Sequence, residues 1–195
     1  MPISGRAATN FSDGAAYVGQ DADDLAAVRQ CLDGNRAAFT PIVERYHRVL
    51  YTVAVRMLGN AADAEDAAQD AFVKAYEKLR SFDQTRRFFS WIYRILLNEC
   101  YDVRRHRRPT EPVGPALLVG ADPDELEAKE RRQRVQAAIV RLPAIYREVV
   151  VLRHFTELSY DEIGEVLHVK ATVVKSRLHD ARRMLSAMLL GEAEP

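Results

Sequence analysis

Apolar residues between positions 39 and 57 return every three or four places: Phe39, Ile42, Val43, Tyr46, Leu50, Val53 and Met57. That rhythm lays one apolar stripe along an α-helix, and Gly59-Asn60 stops it. The pattern is helical from Asp23 onward. A second helix is expected to start at "DAED", where Asp63 can cap and Glu65 and Asp66 suit the positive helix end. It runs through Ala71, Phe72, Ala75, Tyr76 and Leu79 to about Arg80. Residues 81–87 read as a polar, basic loop and 88–106 as another helix. Pro109, Pro112, Pro115 and Pro123, with Gly114 and Gly120, then break the pattern and mark a linker that also carries the apolar "ALLV" at 116–119. Helices resume over 126–142 and from Pro143 to about Phe155. "SYDE" at 159–162 is a capping box that opens a short helix to Leu167. A tight turn at His168-Val169-Lys170 leads into a last helix from about Ala171 to Leu190. No strand and no internal repeat stands out. The expectation is an all-α fold of two small helical domains joined by a Pro/Gly-containing linker. A tail covers 1–22, a first domain 23–108, the linker 109–125, and a helix-turn-helix domain 126–190.

Composition changes this picture mainly through charge. The 195 residues are 48% hydrophobic, enough for real cores, and 28 Lys+Arg balance 28 Asp+Glu. Neutrality hides segregation. Seven arginines fall in 86–108 against Glu99 and Asp102, and five basic residues in 170–183 against Asp180, while acid gathers in 21–24, 63–70 and 122–130. Separate basic patches on a neutral chain point to local contact with a polyanion. Cys31 and Cys100 show no pairing or metal spacing, and the five histidines form no ligand pattern, so neither metal nor cofactor is expected. No run approaches a membrane span, and no apolar core behind basic residues suggests a signal peptide. A cytoplasmic protein is expected. Asp63, Glu65, Asp66 and Asp70 lack a neighbouring His or nucleophile, which argues against an enzyme.

Three surfaces carry candidate chemistry. At about 100° per residue the last helix puts Val174, Leu178, Ala181, Leu185 and Met188 on one stripe. Thr172, Lys175, Ser176, His179 and Arg183 lie opposite, with Asp180 at the edge and Arg177 on the flank. Each can hydrogen-bond a base or a phosphate, as a recognition helix in a major groove must. The stretch "FFSWIYRILLNECYDVRRHRRP" at 88–109 combines an apolar face of Phe88, Trp91, Ile92, Ile95, Leu96 and Val103 with Ser90, Arg94, Asn98, Tyr101 and Arg105 on another. Amide, phenol and guanidinium groups on an anchored helix suit single-stranded nucleic acid: cations track the backbone while polar and aromatic groups hold unstacked bases. Rings in a core and arginines on a solvated helix end account for the same residues. In the acidic helix Asp66, Gln69, Asp70 and Val73 line one face beyond what capping requires, which suits a protein partner with a basic groove.

Taken in order, "DAEDAAQDAFVKAYEKLRSFD", "FFSWIYRILLNECYDVRRHRR", "LPAIYREVVVLRHFTELSYDEIGEVL" and "VVKSRLHDARRML" resemble the extracytoplasmic-function sigma factors of bacterial RNA polymerase over about residues 23–190. The resemblance implies a first domain that docks on the core polymerase clamp and captures melted −10 promoter DNA, and a second that reads the −35 element. It implies clamp contacts at Asp66, Gln69, Asp70 and Val73, and a pocket for an extruded −10 base formed by the 81–87 loop with Asn98. Arg86, Arg87, Arg94, Tyr101 and Arg105 join the −10 surface. Thr172, Lys175, Ser176, Arg177, His179, Asp180 and Arg183 form the −35 surface. The family is non-catalytic and commonly answers to an anti-sigma factor. His168 stands where the family usually has a turn glycine, and His179-Asp180 where an aromatic or polar residue and an Arg are common. A classical transcription regulator, with its N-terminal helices serving ligand binding or dimerisation, is the competing reading. It would bind its duplex site alone, whereas a sigma factor needs core polymerase.

Overall fold

The computed structural model describes residues 21–106, 123–156 and 158–191, with the side chains of 123–126 excepted. Residues 1–20 of the expected tail, most of the linker and the "ALLV" segment lie outside the described residues, while Asp21 and Ala22, also expected in the tail, open the first helix. Eight α-helices, and no strand, occur among those described.

Helix α1 (Asp21–Leu32) begins the first set. Its Asp24 is fully buried and accepts a hydrogen bond from the Tyr46 hydroxyl at 2.5 Å and another from the Arg45 guanidinium, so a buried carboxylate is paired rather than stranded. Helix α2 (Thr40–Leu58) follows the expected stripe, with Pro41 in its first turn and Gly59 ending it at φ 76°. Helix α3 (Ala61–Glu77) starts earlier than the sequence suggested. Asn60, not Asp63, is the cap: its extended backbone lets Oδ1 accept the amides of Ala62 and Asp63 at 2.8 and 3.1 Å. The helix also stops at Glu77, and a 3-10 turn (Leu79–Ser81) completes the run. Ala64, Ala67, Ala68, Ala71 and Ala75 are buried at helical spacing, which lets α3 lie close against both α2 and α4.

Helix α4 (Phe88–His106) has the bounds the sequence predicts. Its buried face is wider than expected. Phe89, Tyr93, Leu97 and Cys100 are buried alongside Phe88, Ile92 and Leu96, while Trp91, Ile95 and Val103 are half-buried. The reason is that α4 is covered from several sides, by α1, α2 and α3 and also by a helix of the second set.

That second set comprises α5 (Pro123–Arg141), α6 (Ala144–Phe155), α7 (Tyr160–Leu167) and α8 (Ala171–Leu190). Helix α5 begins within the stretch expected to be linker, and Pro143 caps α6 rather than sitting inside it. The capping box is formed: Ser159 Oγ accepts the Glu162 amide at 3.3 Å, and Glu162 accepts the Ser159 amide at 2.8 Å. His168 closes α7 in the left-handed region at φ 54°, a conformation His adopts more readily than most residues. Four residues earlier, a Cβ on Gly164 would stand 2.6 Å from the Val169 carbonyl oxygen. Gly164→Ala is therefore expected to force the turn between α7 and α8 open and to cost about 1–3 kcal/mol. Thermal unfolding would show the loss, and an unchanged midpoint would mean the turn yields without strain.

The two helical sets pack on each other. Helix α2 packs on α5 and α6, and α4 packs on α7, so apolar contact runs unbroken from one set to the other.

Candidate nucleic-acid interface

On α3, Asp66, Gln69 and Asp70 are exposed, and Val73 keeps 55% of its surface in solvent. Gln69 donates to Glu65 at 3.0 Å one turn back, and Tyr76 continues the apolar strip below Val73. Buried alanines hold the opposite side of the same helix. Carboxylates beside an uncovered valine and tyrosine suit a protein surface that is basic around an apolar spot.

The residues expected to form one nucleic-acid surface fall into two hollows. The first, about 460 Å³, is lined by the 81–87 loop together with Ser90, Trp91, Arg94, Glu165 and His168. Phe82 anchors the loop, its ring 5.4 Å from Phe88 and 5.0 Å from Trp91. Asp83 folds it, accepting the Thr85 hydroxyl at 2.7 Å and the Thr85 amide at 3.0 Å; these bonds hold its carboxyl below the usual range. Arg86 and Arg94 both face this hollow. Burial, and secondarily Arg86, lowers the Arg94 pKa, and burial with both arginines lowers that of His168. Cations held near one another in this way attract an anionic strand.

The second hollow, about 440 Å³, is lined by Lys74, Lys78, Ile95, Asn98, Glu99, Tyr101, Asp102 and Arg105. Asn98 therefore does not line the hollow of the 81–87 loop with which the sequence grouped it. It lies one helical turn beyond Arg94, exposed, with its amide free to reach outward. Lys74 and Lys78 are basic members of this groove that sequence reasoning missed. Lys74 in the last turn of α3 and Lys78 just past its end stand four residues apart, which was a usable signal. Lys74 pairs with the buried Glu99, which raises its pKa. Arg105 pairs with Asp102 at 2.8 Å.

On α8 the stripe of Val174, Leu178 and Ala181 is buried, and Thr172, Lys175, Ser176, His179 and Arg183 are exposed as the wheel predicts. Asp180 is half-buried at the edge. Arg177 differs: it turns inward and donates to Glu148 of α6 at 3.0 Å, leaving 23% of its side chain exposed. The flank position that suggested a phosphate contact places it over α6 instead. Tyr101 and Arg87 are also engaged by the second set. The Tyr101 hydroxyl donates to Glu148, and Arg87 donates to Glu162 at 3.0 Å. No group of three His, Cys, Asp or Glu residues able to hold a metal gathers among the described residues, and no described helix is long and apolar enough to cross a membrane.

An all-helical scaffold with a capped helix-turn-helix, a basic loop and groove, and an acidic exposed face defines a nucleic-acid-binding protein that also docks on another protein. Comparison with known proteins narrows the class. Residues 42–110 match sigma-70 region 2, and residues 132–185 match sigma-70 region 4. The chain is 37% identical over 176 residues to the extracytoplasmic-function sigma factor SigW of Bacillus subtilis, covering 83% of this chain and 94% of that protein. It is 32% identical to the sigma-E factor of Escherichia coli K12, covering 83% and 92%. Among solved structures, CnrH bound to the cytosolic domain of CnrY is similar with a TM-score of 0.69 at 30% identity, over 88% of this chain and 99% of that one. RpoE from Bartonella quintana, bound to the anti-sigma factor NepR, is similar with a TM-score of 0.62 at 25% identity, over 77% and 96%. The chain belongs to the extracytoplasmic-function RNA polymerase sigma factors, DNA-binding proteins of transcription initiation.

Proposed function

We propose that the chain is a non-catalytic, cytoplasmic specificity subunit that docks on core polymerase through Asp66, Gln69, Asp70 and Val73. It holds melted −10 DNA on the first helical set and reads −35 bases with α8. The boundaries proposed for this division of labour are 23–108 and 126–190. The observation that carries the reading is the separation of faces. An exposed acidic strip on α3 and an exposed polar strip on α8 stand on opposite sets of a sigma-family scaffold, with the basic loop and groove on α3 and α4. No single one of these surfaces is large, so tight promoter binding needs them to act together on polymerase. The solved relatives bound to CnrY and to NepR support control by an anti-sigma protein here as well.

Run-off transcription with purified core polymerase and genomic fragments tests the proposal. The chain is expected to confer initiation at discrete sites and to bind the same duplexes weakly without core. Nanomolar, sequence-specific binding by the free chain would favour a classical regulator. Asn98→Ala tests the −10 role within that assay. Its exposed amide is expected to serve once a base has left the stack, so open-complex formation should fall more than initial binding. A pre-melted bubble should restore part of the loss. Equal loss on closed and open complexes would remove Asn98 from the pocket.

A further inference from the structure

Among the described residues the Arg94 guanidinium of α4 enters no hydrogen bond and no ion pair, although its side chain is half-buried. The other arginines that line the loop hollow are paired. Arg86 lies 3.4 Å from Asp83, and Arg87 meets Glu162 at 3.0 Å and Asp21 at 3.6 Å. A cation drawn partly out of water without a counter-charge is unfavourable, and an anion entering the hollow would relieve it. His168 adds to the unmet charge. It lines the same hollow from the turn between α7 and α8, where burial and then Arg94 and Arg86 oppose its protonation. The two carboxylates in the lining do not cancel these cations. Asp83 is held by the Thr85 hydroxyl and amide and pairs with Arg86, while Glu165 accepts the Ser90 hydroxyl at 3.2 Å. Trp91 completes the wall, its ring backed by Phe82 at 5.0 Å and Phe88 at 5.6 Å.

We infer that this hollow is a binding site for a small phosphate-bearing anion in the free chain, held between Arg86 and Arg94 of the first helical set and His168 of the second. Guanidinium groups suit such a ligand, because their planar N–H forks match phosphate oxygens. At about 460 Å³ the hollow has the size of a small-molecule site. Inorganic pyrophosphate and the diphosphate of a nucleotide share the required chemistry, and only the nucleotide brings a base to lay against Trp91. A turn glycine, which the family usually has in place of His168, would offer this anion no charge. The bound anion touches both helical sets, so it ties the 81–87 loop to the α7–α8 turn. Its concentration then sets how firmly the free chain holds the two together. The inference goes beyond the −10 reading: its ligand is not DNA, and the site stands whether or not the loop also captures a base.

Trp91 is the chain's single tryptophan, so its emission reports on the hollow in the full-length free chain. Titration with inorganic pyrophosphate and with ADP is expected to give a saturable change in that emission and to raise the thermal unfolding midpoint. Tighter binding of ADP would assign a nucleotide as the ligand, and equal binding would assign the phosphate groups alone. Arg94→Ala is expected to weaken binding roughly tenfold or more. Arg94 holds nothing in the free chain, so its truncation leaves the fold in place. His168→Gly keeps the left-handed turn at φ 54° without strain and is expected to weaken binding about threefold. Arg131→Ala removes an exposed arginine of α5 outside the hollow and should leave binding unchanged. No saturable change with either ligand up to millimolar concentration overturns the inference, as does binding that Arg94→Ala leaves intact. Binding lost in Arg94→Ala but untouched in His168→Gly would overturn the joining of the two sets. Neither DNA nor polymerase is present, so a negative result leaves the −10 reading standing, and a failed −10 role for Asn98 leaves this site standing.

Discussion

Reversing charge at Asp66 or Asp70 is expected to abolish association with core polymerase while leaving the fold intact. Both carboxylates are exposed on α3 and belong neither to its cap nor to its buried face; Asp70 adds only a charge interaction with Lys74 one turn on. The cap of that helix is Asn60, and its packing face is the alanine row, so Asp66→Arg and Asp70→Arg touch nothing that fixes the backbone. The proposed partner groove is basic, and an arginine set into it replaces an attraction by a like-charge contact. Such a juxtaposition costs several kcal/mol, roughly a hundredfold or more in affinity. Val73→Ala should weaken association less, because it removes only part of an apolar contact. Co-purification with core, alongside circular dichroism of the free variants, checks this. If either reversal still co-purifies at the parent ratio, the acidic strip serves only helix electrostatics.

Local chemistry made much of the fold legible. The three- and four-residue rhythm located α2 and α4, the capping box located α7, and His168 took the left-handed turn that the residue type allowed. Where two residues could play one part, the sequence was ambiguous. Asn60 and Asp63 are both good caps, and the choice fell to Asn60 because its backbone is extended at φ −132° and ψ 131°. The exposed halves of the candidate sites were also legible, since amphipathic periodicity separates inside from outside on α3 and α8. The contacts between the two sets were not. Arg147-Glu148 sits in an apolar run where a helix reading needs only the valines around it. Its partners Met57 and Tyr101 lie 90 and 47 residues away, a separation that leaves no periodic trace. The same cause hid the inward turn of Arg177: a helical wheel gives its angle on α8 but cannot show that Glu148 stands beneath it.

That inward Arg177 sharpens what should be expected of the recognition helix. Lys175, Ser176 and His179 are exposed and lie within about 100° of one another, close enough to meet adjacent base edges in one major groove. Lys175→Ala or His179→Ala is expected to cost about 1–3 kcal/mol at particular −35 positions and to relax preference there. Arg177 belongs to a different surface in the free chain. Once Glu148 no longer holds it, its guanidinium is available to phosphate, so Arg177→Ala should weaken all promoters alike and lower the salt dependence of binding. Asp180 stands half-buried at the rim, where a carboxylate repels phosphate but can accept a bond from a cytosine amino group. Asp180→Arg is therefore expected to raise general DNA affinity while erasing preference at one base pair. Selection of −35 sequences from randomised templates, run on holoenzyme with each variant, separates these roles. A profile that Asp180→Arg leaves unchanged would take Asp180 off the reading surface. A base-specific change from Arg177→Ala would mean that this arginine reads sequence once Glu148 has released it.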